Sequence, residues 1–561
     1  MKRSTYIWSL LVGCVAFATS CDLTENVQVK ADKSMIFGSK SGLELYSNSF
    51  YKALPTLKNG FMQDKMCDVG AVSNTDTFIK EGAYNTETAT SWSWGALKNV
   101  NYFIDGCNDP KYCTVEAETR DNYLGIARWF RAWFYYDKLT TYGEVPWFPN
   151  DIQSYQNDVM YKDRDSRDVI IRNLIADLDF AYEHIQATSS TGSATLTRWA
   201  AAALKSRVCL FEAAYRRYHN LTGLEITPEE LYREAAKAAK LVIDNSGCSL
   251  NTAAGKKGAY RDLFYSETPL TQEVILAVCA NEKSGIFGEQ NWWFNARSYG
   301  LCWSLVRSFV HTYLKQDGTP FTAAADYAVK SFAEEMEGRD LRLEQTVRGR
   351  NFLWDGKTAV ADIKNLSLTG YQVIKYTLDE SKYDGGAKNI NSIPLIRYAE
   401  VLLNYAEAQA ELGVITDSEW ALTVGALRKR AGITGGTETL PTTVDSYLQR
   451  TFYPDVTSPV LLEIRRERAI ELVAEGMRFD DLRRWKCGSL METLPWSGIH
   501  IPGLEQSVDV NGDGVNDYYF TEGEVASAPA AYKNIAVRVN QDGVGLYAEA
   551  NPVSGYDLVY K

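Results

Sequence analysis

Oxygen donors alternate along Asp509-Val510-Asn511-Gly512-Asp513-Gly514-Val515-Asn516-Asp517. Asp509, Asn511 and Asp513 take the first, third and fifth positions of a calcium loop, and Gly514 takes the turn position. Val515 then offers its backbone carbonyl, and Asp517 stands at the ninth position. A hard dication asks for such a set of oxygens. The twelfth position departs from the pattern, because Phe520 stands where a bidentate glutamate is expected. A further ligand would have to come from elsewhere, for example Glu522. The same run also suits a solvated, Asx-rich turn. We expect a structural calcium ion that braces this loop.

A second constellation could hold sugars. The stretch 281–303, NEKSGIFGEQNWWFNARSYGLCW, gathers Trp292, Trp293, Phe294, Tyr299 and Trp303 beside Asn291, Asn295 and Arg297. Flat rings cover the apolar face of a pyranose, while amides and guanidinium groups bond its hydroxyls. Phe78 and Tyr84, in an earlier loop-rich excursion, are second-rank candidates. The competing reading is that the paired tryptophans pack under the loop.

Signatures of catalysis are mostly missing. The four histidines, His184, His219, His311 and His500, have no HExxH-like spacing, and there is no GxSxG elbow or phosphate-cradling Gly-Lys loop. A pair of acid/base carboxylates cannot be singled out among 71 Asp and Glu. The expectation is a non-catalytic protein. A net charge of −12 with no offsetting basic run argues against nucleic acid as a partner.

The elements that must position these loops are helical. Residues 119–140 carry two apolar stripes, Tyr123/Ala127/Phe130/Phe134 and Ile126/Trp129/Trp133/Tyr136, with Arg128, Arg131 and Lys138 as a polar ridge. Burial on two sides is how a helix reads inside a stack. Helical spacing returns at 94–104, 167–185, 198–217, 229–243, 396–412 and 418–431. Residues 273–278, EVILAV, read as a short buried strand, and a helix is expected over 304–315.

From Glu463 to Trp485 the chain reads EIRRERAIELVAEGMRFDDLRRW. Glu463, Glu467, Glu471 and Glu475 form one stripe if the helix is continuous, and such a row needs cations. Arg466, Arg468 and Arg478 stand three positions from glutamates (463/466, 468/471, 475/478), and Gly476 permits a stop. Four similar carboxylates do not make an acid/base pair, so this is read as a structural lock between helix layers.

The N-terminus reads as a targeting segment. Lys2 and Arg3 precede an apolar run from Tyr6 to Phe17, and Ala18-Thr19-Ser20-Cys21 resembles a lipoprotein cleavage box with Cys21 acylated. Leu11-Val12-Gly13-Cys14 also fits that box but leaves a very short apolar run. No later segment is apolar enough to cross a membrane, so the lipid would be the anchor. Cys107 and Cys113 bracket Asn108-Asp109-Pro110, a turn that could bring them together.

The run E-R-A-I-E-L-x-x-E-G-x-R-x-x-D-L-R-R-W, in the 463–485 stretch, resembles the C-terminal signature of the SusD/RagB family. Segments 125–147, 197–215, 304–321, 338–346 and 396–413 resemble further family segments, in the family's order. The resemblance implies a mainly α fold of about four stacked TPR-like helix pairs, with a loop-rich ligand face and short strands. It implies a nutrient-binding lipoprotein of the Bacteroidetes outer membrane that pairs with a SusC-like TonB-dependent transporter. Loop 281–303 stands where family members place ligand-contacting aromatics, and Asp22 and Glu25 resemble a surface-export signal. The expected layout is a signal peptide (1–20), a tether (21–42) and one SusD-like domain (43–561). Its helical scaffold would span about 92–245 and 396–486, with loop-rich parts at 60–91, 246–395 and 487–561. The expected ligand is a glycan or oligosaccharide. A peptide-binding helical-repeat protein and a secreted glycoside hydrolase are the alternatives.

Overall fold

The structure, a computed structural model, describes residues 33–58, 64, 67–72, 92–153, 155–296, 302–363, 365–494, 496–503, 506–521 and 533–536. Cys21, Phe78, Tyr84, Arg297, Tyr299 and Glu522 lie outside the described residues.

The described residues are mainly helical. Helices α1 (Gly95–Asn108), α2 (Ala117–Tyr142), α3 (Arg167–His184), α4 (Arg198–Tyr218) and α5 (Pro228–Asn245) follow in order, each packing on the next. Far downstream, α6 (Tyr398–Glu411) packs on α5 and α7 (Pro459–Glu471) packs on α6, so the same stack continues. The short α8 (Arg478–Arg484) leans back on α4. Alanine lets the middle layers close: Ala200 to Ala203 in α4 and Ala235, Ala236, Ala238 and Ala239 in α5 are all buried. Gly143, at φ +74°, ends α2 where a side chain would be strained. A capping box between Thr227 and Glu230 starts α5.

Both apolar stripes of α2 are used. Trp129 is fully buried, and its Nε1 donates to the Ala200 carbonyl of α4 at 3.1 Å. The expected polar ridge is corrected in part, since Arg131 and Lys138 are buried. Arg131 makes a two-bond fork to Asp177 of α3, both at 2.7 Å, so a charge that reads as solvated joins two layers.

The expected strand is Val274–Val278 (β1), and it pairs antiparallel with Ile393–Arg397 (β2). β2 runs directly into α6. The helix expected at 304–315 does not form. Ser304–Leu305 is a strand, and only Arg307–Val310 is helical. The backbone there takes tertiary partners: Leu305 N–H donates to Tyr371 O, Val306 N–H to Val69 O and Arg307 N–H to Ser497 O. The segment 418–431 divides at Thr423 into Asp417–Leu422 and Val424–Arg430.

The glutamate row is a lock, though not with the expected cations. Helix α7 ends at Glu471, and positive φ at Ala474 and Gly476 turns the chain before α8. Glu475 therefore lies beyond the helix. Of the three predicted pairs only Glu463–Arg466 forms, at 3.1 Å. Arg468 pairs with Asp481, and Arg478 pairs with Asp68. Glu467 and Glu471 instead receive cations from other elements: Arg342 reaches both, Arg428 reaches Glu467, and Arg397 and Arg430 reach Glu471. The layers are joined by fully buried charge.

Candidate ligand cleft and aspartate loop

A cleft of about 400 Å³ opens where four loop regions meet, lined by Asn295, Arg348, Trp354, Asp362, Asp384 and others. Its further wall is the aspartate loop, through Asn511, Asp513 and Asp517. The aspartate loop and Asn295 of the 281–303 stretch thus meet at one cavity.

Each wall has a local cause. Trp354 sits on a hairpin of Leu353–Trp354 and Lys357–Thr358, closed by Asp355 and Gly356, both at positive φ. That Asp-Gly pair is the turn chemistry a two-residue hairpin demands. Trp354 stacks beside Phe352 with centroids 6.2 Å apart. The Arg348 guanidinium lies over both rings, at 5.0 and 5.7 Å. Gln372, fully buried, holds two sides of the cleft: its Nε2 donates to Asn295 at 3.2 Å, and its Oε1 accepts from Arg348 at 3.3 Å. Burial raises the Asp384 carboxyl to about 6, against the lowering effect of amide bonds from Asn291 and Asn295.

The aspartate loop joins strands Gln506–Val508 and Tyr518–Thr521, which pair antiparallel. Tyr518 and Phe520 are fully buried, and the Tyr518 hydroxyl donates to the Ala361 carbonyl at 2.7 Å, anchoring the loop to the cleft wall. Phe520 therefore serves the core, which is why no glutamate stands there. Asp509 curls the loop by accepting backbone N–H bonds from Gly512 and Gly514, both at 2.7 Å. Asp513 accepts from Val515 N–H at 2.8 Å, and Asp517 accepts from Val510 N–H at 2.9 Å. Val515 is exposed. Burial pushes the Asp517 carboxyl up, helped by Asp513 and Asp509 and opposed by the backbone bonds. Among the described residues no group of three or more His, Cys, Asp or Glu converges on a metal position. The loop has the curl of a calcium loop, with its carboxylates spent on backbone amides.

The paired tryptophans lie on a short helix, Gln290–Asn295, where a loop was expected. Their centroids stand 6.3 Å apart and tilted by 42°, and both rings are half-buried. Trp293 packs against the core, and the Trp293 indole N–H has no hydrogen-bond partner among the described residues. Asn295, on the same helix, reaches the cleft, whereas neither tryptophan is among its lining residues. Asn291 is fully buried. Its oxygen accepts from Leu378 N–H and Asn389 Nδ2, and its Nδ2 donates to Leu378 O and Asp384. It braces the cleft rather than facing it. Phe294 and Trp303 are core residues, and Trp303 lies so close to Gly70 that a Cβ there would sit 2.6 Å from the ring. The two cysteines flanking the 108–110 turn are free, as are all the described cysteines.

Sequence reasoning missed Arg348, Trp354, Asp362, Asp384 and Gln372. Only Trp354 left a local trace, in the aromatic-flanked Asp-Gly turn.

Residues 272–540 match the SusD family. That stretch contains every lining residue of the cleft. No curated protein matches the chain in sequence. Among solved structures it is similar to a SusD-like carbohydrate-binding protein from Bacteroides fragilis. The two are 20% identical, with a TM-score of 0.66, over 85% of this chain and 93% of that one. A second SusD-like protein from Bacteroides fragilis is 22% identical, with a TM-score of 0.62, over 83% and 90% of the two chains. A structure with xylogluco-oligosaccharide is 18% identical, with a TM-score of 0.52, over 81% and 85%. The SusD-like fold expected from the sequence is present, mainly α with few short strands. Among the described residues no helix is long and apolar enough to cross a membrane.

Proposed function

We propose that this chain is a cell-surface, non-catalytic lipoprotein that captures a glycan or oligosaccharide and passes it to a SusC-like TonB-dependent transporter. One observation carries the reading: the 400 Å³ cleft combines the Trp354 ring with amide, guanidinium and carboxylate groups on a SusD-like scaffold. A ring to cover a pyranose face beside donors and acceptors for its hydroxyls is what sugar capture needs. Two similar structures support it, one described as carbohydrate-binding and one containing xylogluco-oligosaccharide. The anchor in this reading is an acylated Cys21, and the mechanism is binding and hand-over. The aspartate loop, through Asp509, Asn511, Asp513, the Val515 carbonyl and Asp517, would take calcium as a brace after its carboxylates turn from the backbone toward the ion.

A glycan array followed by calorimetry on the hits tests the reading. Trp354→Ala should weaken the best hit by about tenfold. An array without hits, or a variant that binds as well as the wild type, would remove the cleft from consideration. New reducing ends on incubation with polysaccharides would favour a hydrolase.

A further inference from the structure

The charge around the cleft is lopsided, and we propose that it admits uncharged oligosaccharides and rejects those bearing carboxylates or sulfates. This rests on the glycan-binding reading above and names the class of glycan. Among the described residues four carboxylates line the cavity, Asp362, Asp384, Asp513 and Asp517, against one cationic side chain, Arg348. Calcium on the aspartate loop would offset Asp513 and Asp517 and leave Asp362 and Asp384 facing Arg348.

An anionic sugar entering the cleft would have to claim that guanidinium, and Arg348 is poorly placed to yield. It is 8% exposed. Its Nε donates to the Ala359 carbonyl at 3.1 Å and its Nη1 to Gln372 at 3.3 Å. Asp362 and Asp384, which line the same cavity, lie near enough to favour its charge and would oppose an incoming anion. No carboxylate closes a salt bridge with it among the described residues, so its charge balances the wall as a whole.

Neutral sugars meet the opposite situation. A hydroxyl can donate to the wall's carboxylates, whereas a carboxylate or sulfate group brings only acceptors to them. Asp384 shows the difference. Its Oδ1 accepts from Asn291 at 3.1 Å and from Asn295 at 3.3 Å, which leaves Oδ2 for a hydroxyl. In a half-enclosed cavity the repulsion between like charges is weakly screened, and specificity of this kind is a penalty against the wrong ligand.

The test uses xylogluco-, galactomanno- and malto-oligosaccharides, each also oxidised at its primary alcohols to carboxylates. Calorimetry is run at low and high salt, with a chelator present so that the aspartate loop carries no cation. For whichever neutral chain binds, oxidation should weaken affinity by at least about tenfold, and high salt should narrow the gap. The near-isosteric Asp384→Asn/Asp513→Asn variant should narrow it too, and Asp384→Asn alone serves if the double variant does not fold. An oxidised chain bound as tightly as its neutral parent overturns the charge proposal and leaves glycan binding standing. A gap unchanged by salt and by the variant overturns it as well. If no oligosaccharide binds in either form, both readings fall.

Discussion

Replacing Glu471 with glutamine removes one negative charge from the site where, among the described residues, three guanidinium groups meet one carboxylate. Its Oε1 accepts from Arg397 at 2.6 Å and also from Arg430, and its Oε2 accepts from Arg342 at 2.8 Å. Breaking a buried pair by removing one partner costs about 3–5 kcal/mol, because the other charge is left uncompensated. Here three guanidinium groups lose a partner, but none is stranded. Arg342 keeps Asp340 and Glu467, Arg397 keeps Glu475 and Glu273, and Arg430 keeps Glu273. The cost should fall at the lower end, about 3 kcal/mol. Urea unfolding of wild type and Glu471→Gln measures it, with Glu225→Gln as control. Glu225 meets Arg172 at the surface, with side chains 79% and 59% exposed, and such a pair contributes about 0–1 kcal/mol. Burial alone would raise the Glu471 carboxyl, but Arg430, Arg397 and Arg342 hold it well below its usual range. Its contribution is therefore complete above the unfolded value of about 4.3 and is lost only as pH falls toward the folded value. The difference between wild type and variant should persist to about pH 4. A Glu471→Gln cost no larger than that of Glu225→Gln would refute the lock.

Asp384 should behave in the opposite sense: its raised carboxyl, at about 6, penalises the charged form above that pH and less as pH falls. Asp384→Asn should then raise the melting midpoint more at pH 8 than at pH 5, and an equal change at both would contradict the assignment. If the aspartate loop takes calcium, millimolar calcium should raise the melting midpoint, a chelator should reverse it and Asp509→Asn should abolish the response. Cys21→Ala should lose incorporation of a radiolabelled fatty acid, and undiminished label would move the acylation site elsewhere.

The helical stack was legible because its signal is local. The stripes at 198–217 and 229–243 lie within helices Arg198–Tyr218 and Pro228–Asn245, since 3.6-residue periodicity needs only nearby sequence. Whatever depends on distant partners was not. The spacing of Arg468 and Glu471 suggested a pair, but Asp481 and Asn404 take Arg468. Asn291 suggested a sugar contact because its type is polar, yet Asn389 and Leu378, 98 and 87 residues away, consume its side-chain amide. The cleft has the same origin: Arg348, Asp384 and Asp513 come from loops that share no period, and only the tertiary fold brings them to one cavity.

The bond between Arg478 and Asp68 spans 410 residues. It ties the segment just before the Gly70–Ala71 strand to helix α8, and Gly70 is paired with Leu305 beside it. At a synthesis rate of about 5–20 residues per second, Asp68 would wait about 20–80 s for its partner to emerge. Until then Asp68 has no counter-ion to be buried against, and its segment cannot seal onto α8. The N-terminal helices can form early, but the folded state arrives only with the end of the chain. Truncation anywhere before Arg478 should therefore give an unsealed product rather than a shorter stable one.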